Sequence, residues 1–378
     1  MRDLFPENVY EALRKRLYVD DGHGGGSTLP KALLLKKNLI DAMARGGFSL
    51  SKWKTNHPAL LHHESGEPAP VVEDKLEKIL GVHWNPFQDN FRFVWDVKQF
   101  KLPARTPREL ISVSSSLYDP NGFIAPFIML GRQFLQRAQK GRRGWDTPLD
   151  PDLMEEFFLW ASSIPLLRNY PVPRWWENDA TMDAKNIQWH FQSDACLTGY
   201  GAVVYRRAVS DAGDIYVALI MARAHVVPLD LSKASHHGSI VKLELIGLGN
   251  QMDCRKFLIN TFGELVGQKV HWTDSECCLK QVKDMTTCFP TFTANRLSVI
   301  HEVSQPEEWR HVPSADNCAD MCARGIKADE AEKWRRFHRG PEYLWKPESE
   351  WPKIKDYFKP KPLPTATIAA TSSTRTGT

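Results

Sequence analysis

Four carboxylates in the second half of the chain stand where they could act together: Asp194 in "FQSDA", Glu244 in "VKLELIGLG", Asp274 in "HWTDSE" and Asp320 in "NCADMCARG". Four acids held close repel one another, and divalent cations remove that repulsion. Hard oxygen ligands suit Mg2+ or Mn2+. Two such ions about 3.5–4 Å apart can clamp the attacking and leaving oxygens of a phosphodiester displacement, and no side-chain nucleophile is then required. Singly, each acid is weak evidence. An aspartate at a strand end commonly forms a turn or caps a helix, and a helical glutamate is commonly solvated. The order and setting of all four carry the reading.

A second acidic feature lies near the start, where "LYVDDGHGGG" places Asp20 and Asp21 between a short apolar run and a glycine-rich loop. Adjacent aspartates at a strand end also fit a metal site. The loop "GHGGGST" lacks the GK[ST] ending of a phosphate loop and reads as a flexible turn.

The elements that must position the four acids can be read from periodicity. "NIQWHFQSD" alternates apolar Ile187, Trp189 and Phe191 with polar Gln188, His190 and Gln192, as a half-buried strand does, and it ends at Asp194. "GYGAVVYRR" and "DIYVALIMARA" continue as strands, with Gly199 and Gly201 near the first turn. Ile240 to Phe257 has helical spacing and carries Glu244 in its first turns. "QKVHWTDS" is a fourth strand ending at Asp274, with a helix after it. "EWRHVP" is a fifth, short strand, and a helix beginning near Asn317 carries Asp320 in its first turn. Two strand ends and two helix positions can meet at one edge of a sheet, where open α/β sheets place their sites.

Upstream, "RKRLYVDD", "FSLSKWKTN" and "NFRFVWDV" are strand-like, and "TLPKALLLKKNLIDAMARGG" is a helix closed by Gly46 and Gly47. From Pro107 to about Tyr170 the chain reads as helical, and "YPVPRWW" as a proline-rich linker. Residues 356–378, rich in Pro, Thr and Ser, read as disordered.

Composition bounds these readings without directing them. Of 378 residues, 42% are hydrophobic and 25% charged, ordinary for a globular protein with room for two or three domains. A net charge of +4 does not by itself announce a nucleic-acid binder, although Arg132, Arg137, Lys140, Arg142 and Arg143 form a tract without an acid. The start has no apolar signal core and no run is long enough to span a membrane, so the expected location is intracellular, cytoplasmic or nuclear. Seven cysteines without a CxxC pair read as reduced thiols.

The motifs together resemble a known family. "SDACLTGYGAVVY", "LEL", "WTDS" and "HVPSADNCADMCARG" look like the four motifs of a retroelement ribonuclease H. "RELISVSSSLYDPNGFIAPFIMLGRQFLQ" resembles the connecting segment of the Pol polyprotein of BEL/Pao-type LTR retrotransposons. "GGFSLSKWKTN", "KILGVHW" and "FTANRL" are similar to its reverse-transcriptase end and ribonuclease H interior, and "FHRGPEYLWKPESEWP" to the stretch leading toward integrase. The resemblance runs from Leu17 to Trp351. It implies that Asp194, Glu244, Asp274 and Asp320 bind two Mg2+ or Mn2+ ions and cleave the RNA strand of an RNA–DNA hybrid, recognised through 2′-hydroxyls and phosphates.

"YVDD" resembles the reverse-transcriptase palm hairpin, but the third carboxylate of a palm should lie on an earlier strand, and Asp3, Glu7 and Glu11 lack such a setting. Polymerase activity is therefore not expected. The last motif departs from the family: Cys318 stands in place of a usual proline, Ala323 in place of a serine, and the loop "VPSADN" has no histidine, with His311 reading as a strand residue. Asp316 is a rival fourth acid that fits better as a loop or cap residue. The expected architecture is multi-domain α/β: a truncated palm/thumb remnant (1–100), a mainly helical connection and linker (101–180), a ribonuclease H-like domain with a mixed five-stranded sheet (181–340), and a C-terminal extension (341–378). The competing expectation is a catalytically silent or domesticated remnant that at most binds nucleic acid.

Overall fold

The computed structural model describes residues 6–18, 21–61, 74–140, 144–228 and 237–353. Asp20, Arg142, Arg143 and the tail 356–378 therefore lie outside the described residues. Helices are α1 (Glu7–Lys15), α2 (Leu29–Arg45), α3 (Pro107–Ser115), α4 (Ala125–Ala138), α5 (Pro151–Ser162), α6 (His237–Phe262), α7 (Glu276–Lys283), α8 (Thr291–Val303), α9 (Ala319–Arg324) and α10 (Ala331–Arg339). Strands are β1 (Leu17–Tyr18), β2 (Asp21–Gly22), β3 (Glu77–Ile79), β4 (Val82–Asn85), β5 (Asn90–Arg92), β6 (Val172–Pro173), β7 (Asn186–Ala195), β8 (Gly199–Val209), β9 (Ile215–Val226), β10 (Gln268–Thr273) and β11 (Trp309–His311). The chain forms two compact units, residues 1–120 with 143–176, and residues 121–142 with 177–378.

In the first unit, Thr28 caps α2 by accepting from the Lys31 backbone N–H, and Val9 and Ala12 of α1 pack on Leu35 and Ala42 of α2. β1 and β2 make a two-residue hairpin, so the strand expected over "RKRLYVDD" is short and its first residues are helical. "FSLSKWKTN" forms no strand, a correction with a local cause: Lys52 sits at φ 56°, which breaks an extended run. β3 to β6 form an antiparallel sheet. Part of the expected linker is thus sheet, with Val172 paired to Phe91. Asp89, in the β4–β5 turn, fastens it: its carboxylate accepts from Trp84 Nε1 at 2.9 Å, Asn56 Nδ2 at 3.2 Å, and Arg174 Nε and NH2 at 2.6 and 2.8 Å.

The second unit is built on a mixed sheet in the order β11-β10-β7-β8-β9. β7, β8 and β9 are antiparallel neighbours, while β7–β10 and β10–β11 are parallel. α6 covers one face. Leu245, Leu248 and Met252 pack there with Cys278 and Leu279 of α7, Leu297 and Ile300 of α8, and Trp309 of β11. The sequence pattern predicts one helix between β10 and β11, where the structure has two, α7 and α8.

α9 and residues 341–351 cover the opposite face. β7 is therefore buried on both sides rather than half-buried. The polar set survives there because each side chain makes at least one hydrogen bond, although His190 Nε2 has none. Gln188 accepts from Arg207 NH1 at 2.7 Å, His190 Nδ1 accepts from Trp272 Nε1 at 3.1 Å, and Gln192 donates to Tyr343 Oη at 2.9 Å. α4 joins this unit: Gly122 precedes it at φ 76°, where a Cβ would lie 1.8 Å from the Ala222 carbonyl oxygen of β9, so only glycine fits. All seven cysteines are free thiols. Among the described residues, no helix is long and apolar enough to cross a membrane.

Candidate active site

Parallel pairing of β7 with β10 brings their C-terminal ends to one sheet edge. Asp194 is the penultimate residue of β7, and Asp274 follows the last residue of β10. Glu244 lies in the second turn of α6. One turn further, Gly247 lets the helix lie against the strand: a Cβ there would stand 3.3 Å from the Asp194 carbonyl oxygen. As a result, one carboxylate oxygen from each of Asp194, Glu244 and Asp274 lies within 4.8 Å of the others.

This cluster is electrostatically tense. Asp194 is 5% exposed, and its Oδ2 is buried without a hydrogen-bond partner. Burial first, then the charges of Asp274 and Asp320, raise its pKa to about 7. Burial first, then Asp194 and Asp274, push Glu244 to about 9. A buried carboxylate oxygen without a donor, on a residue clustered with two further acids, is costly for the protein alone. A hard divalent cation meets all three needs at once: charge, coordination and the orphaned oxygen. The residues present fit such an ion.

Asp274 is oriented by Asn317, whose Nδ2 donates to its Oδ1 at 3.2 Å and to the Ser193 carbonyl at 2.9 Å. The Asn317 Oδ1 accepts from the Ala319 N–H at 3.2 Å. This buried amide thus ties β7, the end of β10 and the start of α9 together. Sequence reasoning used Asn317 only as the mark of a helix start; its position three residues before Asp320 was the available signal.

α9 rests on the two glycines of β8. A Cβ on Gly201 would lie 2.3 Å from Cys322 Cβ, and one on Gly199 2.5 Å from the Ala323 carbonyl oxygen. Asp320 on this helix is paired with Arg324 and stands outside the three-acid group, although its charge reaches Asp194. Asp316 ends a 3-10 turn, with Arg336 3.9 Å away. Cys318 and Cys322 are core residues.

The remaining expected candidates lie elsewhere. Asp21 is exposed in β2, and Lys52 is an exposed cation in the first unit. Arg174 lies over the half-exposed Trp175 ring at 5.8 Å. Arg132 of α4 donates to the Ala224 carbonyl, which attaches it to the sheet.

Solved structures similar to the chain include three nucleic-acid enzymes. A foamy viral protease–reverse transcriptase in complex with double-stranded DNA is 12% identical over 63% of this chain and 38% of its own, with a TM-score of 0.35. Ribonuclease H1 of the archaeon Halobacterium salinarum NRC-1 is 16% identical over 35% of this chain and 89% of its own, TM-score 0.20. LC11 ribonuclease H1 in complex with an RNA/DNA hybrid is 11% identical over 35% and 88%, TM-score 0.20. The chain thus spans well under half of the foamy viral polypeptide. No curated protein matches it.

The mixed sheet, with acids gathered at the ends of its parallel strands, defines a ribonuclease H-like unit. Residues 106–275, which include Asp194, Glu244 and Asp274, match the family model of the Pao retrotransposon-like RNaseH-like domain. The matched stretch, under half of the chain, contains motifs that resemble retrotransposon Pol sequence.

Proposed function

We propose that this unit hydrolyses the RNA strand of RNA–DNA hybrids, with Asp194, Glu244 and Asp274 holding Mg2+ or Mn2+ and Asp320 completing the set. The observation that carries this reading is the approach of three carboxylates within 4.8 Å of one another, one of which, Asp194, has a buried oxygen without a hydrogen-bond partner. Divalent ions bound there supply Lewis acidity for the attack of water on a phosphodiester, leaving a 3′-hydroxyl and a 5′-phosphate. The chain's own part is positional. β7 and β10 present two carboxylates, Gly247 admits the helix that presents the third, and Asn317 fixes the rotamer of Asp274. The first unit, with the "YVDD" hairpin, is assigned as a reverse-transcriptase palm/thumb remnant and the helices around 101–180 as the Pao connection, neither with polymerase chemistry of its own.

The Asp320–Arg324 pair supports a second reading, a silent remnant, because an acid held by arginine is less available to an ion. A hybrid with 5′-labelled RNA separates the two. The expected result is Mg2+- or Mn2+-dependent internal cleavage of the RNA, with duplex DNA untouched. An intact RNA strand under both metals, with folded protein, favours the remnant.

Gly247 offers a further check. Gly247→Val adds branched methyl groups beyond a Cβ that would itself stand 3.3 Å from the Asp194 carbonyl oxygen, so α6 must shift outward. Divalent-ion affinity is expected to fall about 10–100-fold, the range seen when a ligand's support is lost. Calorimetric titration with Mn2+ reads this, and unchanged affinity would show that the helix approach does not set the cluster.

A further inference from the structure

A buried polar chain runs beneath the acidic cluster, on the face that α6 covers. Gln251 lies two turns beyond Glu244 on the same side of α6. Its Nε2 donates to Ser193 Oγ and to the Trp272 carbonyl oxygen, each at 2.8 Å. Ser193 precedes Asp194, and Trp272 stands two residues before Asp274. One amide therefore joins the helix that carries Glu244 to both strands that carry the other two acids.

The rest of the chain fixes which way that amide points. Gln251 Oε1 lies 2.9 Å from His271 Nδ1, and Arg255 NH1 lies 2.9 Å from His271 Nε2. Arginine only donates, so Nε2 accepts and Nδ1 donates to the Gln251 oxygen. The Gln251 NH2 must then face the two strands. Arg255 is held by Glu308 at 2.6 and 3.3 Å. His271 is fully buried, stacked between Phe191 (centroids 4.7 Å apart) and Trp309 (4.8 Å). Burial, then Arg255, keeps its pKa well below the ordinary value, so the ring is neutral and this tautomer is stable. Filling a core does not require such a network; apolar side chains fill the same space without the desolvation cost.

We propose that Gln251 is a positioning residue for the acidic cluster, setting the spacing of Asp194, Glu244 and Asp274 by clamping α6 to β7 and β10, and that His271 and Arg255 hold its amide in the one orientation that does so. This rests on the reading of the three acids as a divalent-ion site. The test is Gln251→Met, which keeps the volume and removes both donors, compared with Leu297→Ala, which loosens the same core on α8. Mn2+ binding to the full chain is followed by electron paramagnetic resonance of the free ion, beside the thermal midpoint.

The expected result is a loss of Mn2+ affinity of about 10-fold or more in Gln251→Met, with Leu297→Ala within about two-fold of the parent even if its midpoint falls further. Ser193→Ala, which removes one of the two acceptors, is expected to fall between. Unchanged Mn2+ affinity in Gln251→Met, with a parent chain that binds, overturns the positioning role alone. A folded parent chain that binds no Mn2+ overturns the ion-site reading and this role with it.

Discussion

Asp194→Asn is expected to lower hybrid cleavage by about 10³-fold or more while the protein stays folded. The amide keeps the shape of the side chain and removes the anionic oxygens. Several kcal/mol of charge stabilisation then disappears at about 1.4 kcal/mol per tenfold in rate. The same change should raise the thermal midpoint of the ion-free protein. It deletes a charge buried beside Asp274 and Glu244, and it gives the orphaned Oδ2 position a group that can donate. Opposite signs for rate and stability are the signature of a functional acid rather than a structural one. Cleavage within a few-fold of the parent, or a lower midpoint with lost cleavage, would contradict the assignment. Both are read from a labelled-hybrid time course and a melting curve on the same sample.

The second large effect is on the pH dependence of stability. Asp194 and Glu244 have folded-state pKa values of about 7 and about 9, against ordinary values of 3.8 and 4.5. Above pH 4 the folded protein therefore holds protons that the unfolded chain releases. Proton binding favours the folded state, so this contribution declines as pH rises through the interval from about 4 to 9. Without divalent ions, the midpoint should fall between pH 5 and pH 8 by an amount worth a few kcal/mol. Saturating Mn2+ should cancel most of that fall, because the ion replaces the protons. The difference between ion-free and Mn2+-loaded midpoints should thus widen with pH. A difference constant from pH 5 to pH 8 would show that the cluster does not exchange protons for metal. In Asp194→Asn the ion-free slope should be shallower.

Much of the second unit was legible in the sequence because its strands are long and its acids fall at their ends. "NIQWHFQSD" gave a strand ending at Asp194, and the helix around Glu244 followed from apolar spacing. Burial of β7 on both faces could not be read there. The alternation of Gln188, His190 and Gln192 resembles a solvated face, and partners such as Arg207 and Tyr343 come from residues far along the chain. The role of Gly199 and Gly201 was hidden for the same reason, since their partners in α9 lie more than a hundred residues away.

Asn317 and Gln251 escaped because amides carry no charge pattern; only the fold shows what each one joins. The setting of Asp320 in the first turn of a helix singles it out, but that spacing does not register that Arg324, one turn on, competes for its carboxylate. The short strand β6 reads as a linker because its prolines outweigh two residues of pairing with β5, which only the fold reveals. "LYVDD" is in part a hairpin, with Asp21 exposed at its far side and not a member of the three-acid group.

The most direct test is to locate the ion. Anomalous diffraction from crystals of the chain grown with Mn2+ should show a peak within about 2.5 Å of carboxylate oxygens from Asp194, Glu244 and Asp274, and the peak should vanish in Asp194→Asn. A Mn2+ peak bound elsewhere, or none among these three side chains at saturating Mn2+, would contradict the central claim.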